Sequence, residues 1–310
     1  MGSVGLPLKL SVCILIFLIL ENFCVTCNEE PIPWCYDLPK VCGPDTWGPL
    51  GSCNGKNQSP ININTRSVIS KPAEKSLYFK NYGDRNLLVA VKNTGHQAQL
   101  MVLSKATISG GDLTEPYTLQ QAHLHWGTIK NSGAEHTIDG RRHTMEMHLV
   151  HTINNMSVEE ASKLPNGLVV VGIFLQKSEK NDHPTAWNTL ARLCKKIPEK
   201  GDSYNLSGEL TFGALLSRVD FSRYYTYQGS LTTPPCAESV KWLIIADYIE
   251  VSSEVVSLFT GTLFFTTKEE GRRMQNTFRP TQPLNDRKVY YYREYNTWSG
   301  CLRSCVRKQF

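Results

Sequence analysis

Apolar residues recur along this chain in short runs rich in β-branched and aromatic side chains. From Ile61 onward, "NLLVAVKNTG", "AQLMVLSKATISG", "QAHLHWGTI", "MEMHLVHTI", "GLVVVGIFLQ", "KWLIIADYIEV" and "GTLFFTT" read as strands. Turn chemistry separates them, at Asn93-Thr94-Gly95, Ser109-Gly110-Gly111 and Asp139-Gly140. Helical periodicity is confined to "HPTAWNTLARLCKKI" and the shorter "SSEVVSLFTG" and "GELTFGALL". No repeat, linker or low-complexity segment interrupts the pattern. It predicts a mainly β fold, a single domain carrying short peripheral helices.

One of these strands holds "QAHLHWG", Gln121 to Gly127. Alternate residues of a strand face the same way, so His123 and His125 would point together, about 7 Å apart. Alone, the pair is either part of a metal site or two imidazoles on a solvated face. The strand "MEMHLVH" adds His148, with Glu146 on the same face and Met145, Met147 and Leu149 on the other. If the two strands are neighbours, three neutral imidazoles converge and a fourth position stays open. That is the pattern of catalytic zinc, since closed structural sites use four protein ligands. Gln121 lies two residues before His123, and Glu146 two before His148. Each could accept the second N–H of its imidazole and orient the ring. His151 has the opposite parity from His148 and reads as structural. His143 and His183 read as surface or turn residues.

The amino terminus "MGSVGLPLKLSVCILIFLILENFCVTC" places one early lysine before an apolar core, as a secretory signal peptide does. The apolar run is short for a membrane span, which leaves a retained signal anchor as the alternative. The expected divisions are a signal peptide over 1–27, a domain over 28–288, and a basic tail over 289–310. The domain opens with an irregular arm at 28–57, rich in Cys, Pro, Gly and Trp. Of ten cysteines, Cys13, Cys24 and Cys27 would leave with the signal. Secretion makes Cys35, Cys42, Cys53, Cys194, Cys236, Cys301 and Cys305 candidates for disulfides. Their number is odd, so one stays free or pairs between chains. Cys194, on the helical "NTLARLCKKI", is expected as a buried thiol. Asn155 and Asn205 open glycosylation sequons, whereas the one at Asn57 runs into a proline and is expected to be unused. A composition of 41% hydrophobic and 20% charged residues is globular. The net charge of +5 is spread without a dense basic block, so nucleic acid is not an expected partner.

The order of "QSPINI" (Gln58 to Ile63), "QAHLHWG", "GAEHTIDG" (Gly133 to Gly140), "MEMHLVH", "GLVVVGIFL", "YQGSLTTPPC" (Tyr227 to Cys236) and "RPTQPLNDR" (Arg279 to Arg287) resembles the α-class carbonic anhydrases over most of the chain. The cysteines of "WCYD", "GSCNGKNQSP" and "TTPPC" make it most similar to the extracellular type IV group. The resemblance implies a large, twisted, mostly antiparallel central sheet with zinc (Zn2+) at the base of a cone. It implies reversible hydration of CO2 to bicarbonate and a proton, by attack of zinc-bound hydroxide. Thr232 would accept the hydroxide's proton in a hydrogen bond and donate its own to Glu135. Thr233 would contact bicarbonate. Val150, Val170, Leu231 and Trp242 would form an apolar pocket for CO2, though each also passes as a core residue. His96 matches the proton shuttle, although by itself it reads as a surface histidine beside a turn. Bridges Cys53–Cys236 and Cys35–Cys42 are implied, as are sulfonamide-type and anion inhibitors.

Two departures stand out. "WGP" at Trp47 to Pro49 stands where the family commonly has "WGY", and Thr94 and Gln99 replace amides near the shuttle. They imply a different water chain around His96. Type IV forms are often glycolipid-anchored, but "NTWSGCLRSCVRKQF" lacks the hydrophobic tail such anchoring needs. The expectation is therefore a secreted, extracellular protein with no transmembrane segment after signal removal. The alternative function is a catalytically inactive binding module. Such modules have lost zinc ligands, whereas the three histidines, Glu135 and Thr232 are all present here.

Overall fold

Six of the seven apolar runs become strands of one large sheet. The computed structural model describes residues 34–73, 75–180 and 182–294, all in one compact unit. The expected signal peptide, Cys301 and Cys305 lie outside the described residues. Ten strands form the continuous path of the sheet. They are β1 (Ile69–Pro72), β2 (Leu88–Asn93), β3 (Ala98–Val102), β4 (Tyr117–Trp126) and β5 (Met145–Ile153), followed by β6 (Leu168–Lys177), β7 (Ser203–Asn205), β8 (Arg223–Gly229), β9 (Val240–Val251) and β10 (Tyr290–Arg293). Their spatial order is β7-β2-β3-β4-β5-β6-β9-β8-β10-β1. Two further strands, Leu77–Lys80 and Thr107–Gly110, complete a twelve-stranded sheet. Pairing is antiparallel except between β6 and β9 and between β10 and β1, so the sheet is mixed but mostly antiparallel.

Both faces of the central strands are covered, which is why β5 and β6 read as nearly unbroken apolar runs. Met145, Met147, Leu149, Val169 and Val171 pack on one side with Trp187, Leu190, Val255 and Phe259 of the helices. Val150, Val170 and Trp242 face the other side with Ile61, Ile63 and Ala134. Fully burying one such side chain stabilises the fold by about 1.5–3 kcal/mol.

The helices are α1 (Val158–Ala161), α2 (Thr185–Leu193), α3 (Phe212–Leu215) and α4 (Ser253–Thr262). α2 and α3 fall within the helical stretches expected from the sequence, and α4 runs one residue past its stretch. A 3-10 turn extends α2 to Lys196 and buries Cys194, which remains a free thiol. The hydroxyl of Ser252 caps α4 by accepting the N–H of Val255. Among the described residues, no helix is long and apolar enough to cross a membrane.

Two expectations need correction. "GTLFFTT" is not a strand: Gly261 and Thr262 close α4, and Phe264 makes only an isolated bridge with Arg273. Its apolar residues are buried in a loop, a state that a short apolar run does not distinguish from a strand. The sheet also takes in Tyr290–Arg293, part of the stretch read as tail. In the arm, the described residues are irregular beyond a 3-10 turn at Pro44–Thr46, and the bridges Cys35–Cys42 and Cys53–Cys236 are formed.

Candidate metal centre

The antiparallel register of β4 and β5 sets His123 directly opposite His148 and His125 opposite Glu146. Because residues facing each other across such a pair share a face, the three imidazoles crowd together. Ring centroids lie 4.9 Å apart for His123 and His125, 5.2 Å for His123 and His148, and 4.6 Å for His125 and His148. One nitrogen from each ring falls within 4.8 Å of the others.

The other nitrogen of each ring has its own partner. His123 Nδ1 donates to Gln121 Oε1 at 2.9 Å, His125 Nδ1 to the Thr277 carbonyl at 2.6 Å, and His148 Nε2 to Glu146 Oε1 at 2.8 Å. These bonds leave Nε2 of His123, Nε2 of His125 and Nδ1 of His148 to face one another. Burial holds His123 well below the usual histidine range, takes His125 down to about 4, and lowers His148 as well. All three are therefore neutral at pH 7, the form that offers a lone pair to a metal. His125 Nε2 and Glu135 Oε2, 3.5 Å apart, are both buried without a hydrogen-bond partner. A cation among the three free nitrogens would relieve this. The residues present fit a tetrahedral, nitrogen-ligated metal with one open position.

The two buried carboxylates behave differently. Glu146 Oε2 accepts the N–H groups of Glu135 and His136, each at 2.8 Å, and Oε1 accepts His136 Nδ1 at 2.7 Å besides His148. Burial opposes its charge, yet His136 and His148 hold it well below the usual carboxylate range. Burial pushes Glu135 up to about 7, against the pull of His148, the Arg279 N–H and the Thr232 hydroxyl. Arg279 N–H reaches Glu135 Oε1 at 2.8 Å.

From Glu146 a buried chain of hydrogen bonds continues. Tyr227 donates to His136 Nε2 at 2.7 Å, Ser59 donates to the Tyr227 oxygen at 2.8 Å, and Ser230 N–H donates to Ser59 Oγ at 3.0 Å. The chain thus ends one residue before Leu231 and two before Thr232. Sequence reasoning missed His136, Tyr227 and Ser59, although "GAEHTIDG", "YQGS" and "QSPINI" contain them. It missed Thr277 because the functional atom there is a backbone carbonyl.

A cavity of about 310 Å³ opens over His123 and His148. Val150, Val170, Leu231 and Trp242 form an apolar wall, and Gln97, Gln121, Thr232 and Thr233 a polar one. Val158 and Glu159 of α1, with Ser162, add a rim that the sequence pattern did not suggest. His96 does not line this cavity; its neighbour Gln97 does. The His96 ring stacks on Trp34, with centroids 3.9 Å apart and 16° between planes, and its Nδ1 is buried without a partner. Burial, and then Lys200, take it down to about 4 against the pull of Asp37. Thr94 and Gln99 lie outside the cavity wall as well. Pro49 is exposed, whereas Tyr36 is buried, and its hydroxyl, without a hydrogen-bond partner, feels the charges of Glu135 and Arg279. The arm motif "WCY" contains this tyrosine.

His151 is buried, bonded to Tyr82 and to the Val169 carbonyl. His143 and His183 are half-buried at irregular positions, and His143 stacks on Phe174 at 4.5 Å. Asn155 and Asn205 are exposed.

Residues 42–293 match the eukaryotic-type carbonic anhydrase family. The chain belongs to that family. It is 35% identical to carbonic anhydrase 6 of Homo sapiens, over 77% of this chain and 76% of the relative. Carbonic anhydrase 7 of Mus musculus is 33% identical over 82% and 96%. A putative carbonic anhydrase 3 of Caenorhabditis elegans is 35% identical over 83% and 97%. For a carbonic anhydrase, a buried triad of imidazoles facing an apolar wall is the arrangement to account for.

Proposed function

We propose that this chain is a zinc enzyme that hydrates CO2 reversibly to bicarbonate and a proton. The observation that carries the reading is the set of three imidazoles, each fixed through one nitrogen by its own partner and free at the other. Zinc held by His123 Nε2, His125 Nε2 and His148 Nδ1 would lower the pKa of a water from about 15.7 to about 7, a magnitude known for this enzyme class rather than obtained from this chain.

The remaining work falls to the protein's own groups. Thr232 donates its hydroxyl proton to Glu135, so its oxygen is left only to accept. The nucleophile must then give Thr232 its hydrogen and turn a lone pair toward the cavity. CO2 has no dipole, and the wall of Val150, Val170, Leu231 and Trp242 suits it. Thr233 lies on the polar wall, where bicarbonate can be hydrogen-bonded. His96 carries the proton outward once it leaves Trp34, because stacked and depressed to about 4 it is a poor acceptor at neutral pH.

Sulfonamide-type and anionic inhibitors would bind the same open position. Two disulfides and two exposed sequons support a secreted, extracellular protein after removal of residues 1–27. Zinc analysis coupled to a CO2 hydration assay tests the reading. The secreted protein should hold one zinc and be active, and His148→Ala should lose both. A zinc-free, inactive wild type would instead leave the chain as a binding module.

A further inference from the structure

Trp34 and Tyr36 flank Cys35, and the two side chains do different things. Trp34 covers His96, while Tyr36 is buried beside Glu135 and Arg279. Both pack edge-on against the buried Trp47, at 5.2 and 5.5 Å. The other end of the bridge is tied to the same tryptophan, because Trp47 Nε1 donates to the Cys42 carbonyl at 2.9 Å. Within the ring, Cys35 N–H donates to the Cys42 carbonyl at 2.7 Å, and the N–H groups of Cys42 and Gly43 both reach the Leu38 carbonyl at 3.0 Å. Outside it, a further polar anchor among the described residues is the Asp37–Arg272 ion pair at 2.7 Å. That pair is partly buried, with Asp37 14% and Arg272 38% exposed, so it contributes to holding the segment alongside the bridge. The covalent link thus adds to the packing of Trp34 and Tyr36 on Trp47 in holding Trp34.

We infer that the Cys35–Cys42 bridge is a clamp that keeps His96 stacked under Trp34 and so restrains proton exit from the cavity. Its effect on proton exit rests on the reading of His96 as the proton carrier. The clamp acts through position and environment together. Stacking takes the imidazole out of water, the Nδ1 atom finds no partner, and only Asp37 favours its charged form while Lys200 opposes it. Gln97, the next residue, already lines the cavity, so a released His96 ring has a short path to it. Cys35 and Trp34 are positioning residues here, since neither touches the reacting atoms.

The test is the Cys35→Ala/Cys42→Ala protein, with its zinc, beside the wild type. The His96 pKa, followed by NMR of the ring, should rise from about 4 toward the ordinary 6.5. In weak buffer kcat should increase several-fold, while kcat/KM for CO2 stays within twofold. Trp34→Ala should move the His96 pKa in the same direction. If the double variant folds poorly, wild type reduced and alkylated at the half-exposed Cys35–Cys42 pair, with Cys53–Cys236 intact, gives the same reading. An unmoved His96 pKa in the bridge-free protein, with Trp34→Ala shifting it, overturns the clamp. A shifted pKa with unchanged kcat keeps the clamp and overturns the role of His96 as carrier.

Discussion

Glu146 is a single side chain with four hydrogen bonds, and two of them serve different tasks. One fixes the His148 ring, and another ties His136 into the buried chain toward Ser230. Glu146→Gln keeps the shape but replaces one acceptor oxygen by a donor, facing N–H groups on both sides. We expect zinc affinity to fall by roughly 10–100-fold, as for other partners that orient metal ligands. Competition with a chelator measures it, and an unchanged affinity would mean that Glu146 does not orient His148. Glu146→Ala should lose stability as well, by about 1–3 kcal/mol for each buried donor left unpaired. At this scale the sequence was legible where partners share a strand: Gln121 and Glu146 sit two residues from their histidines. It was silent where the partner is a backbone carbonyl 152 residues away, as for His125 and Thr277.

Among the elements, the strands that carry the centre were the easiest to foresee, since alternation and β-branching are strong and local. The failures are equally physical. "GTLFFTT" is apolar because a loop there is buried, and periodicity cannot tell that from a strand. α1 is a single turn held by the capping box of Ser157 and Glu160, too short to show a period, yet it forms the cavity rim. The loop bearing Thr232 depends on a distant element. Cys53–Cys236 joins the arm to it across 183 residues, and Arg279 braces the same corner through the carbonyls of Cys53 and Ser59. Removing a native bridge typically costs about 2–5 kcal/mol. Cys53→Ser should lower the melting temperature and the secreted yield, and it should reduce kcat/KM through looser placement of Thr232. Wild-type thermal stability in that variant would show that the bridge is not what holds the corner.

Over the whole molecule, the buried imidazoles set how stability depends on pH. His96, His125 and His151 each titrate at about 4 in the folded chain, chiefly through burial. An unfolded histidine titrates at about 6.5. Between these values the unfolded chain binds the protons that the folded one refuses, so acidification favours unfolding. The contribution is complete above about 6.5, is lost as pH falls toward about 4, and changes no further below that. Each group adds a slope of up to about 1.4 kcal/mol per pH unit, less for His96, which is only half-buried. Glu146 extends the loss downward: its pKa is depressed in the fold, so its share is present above the ordinary carboxylate range and disappears only as pH drops below it. Bound zinc steepens the upper part of the curve, because protons then compete with the metal for His123, His125 and His148. Glu135 opposes this in part, because its carboxyl, raised to about 7, takes up a proton in the fold before an unfolded carboxyl does. Denaturant midpoints of the metal-free protein, measured from pH 7.5 to about 4, should therefore decline through the histidine window, less steeply by the share of Glu135. A midpoint that stays flat until the carboxylate range would mean that these imidazoles are not held neutral, and with that the case for a ready lone pair on His125 would fail.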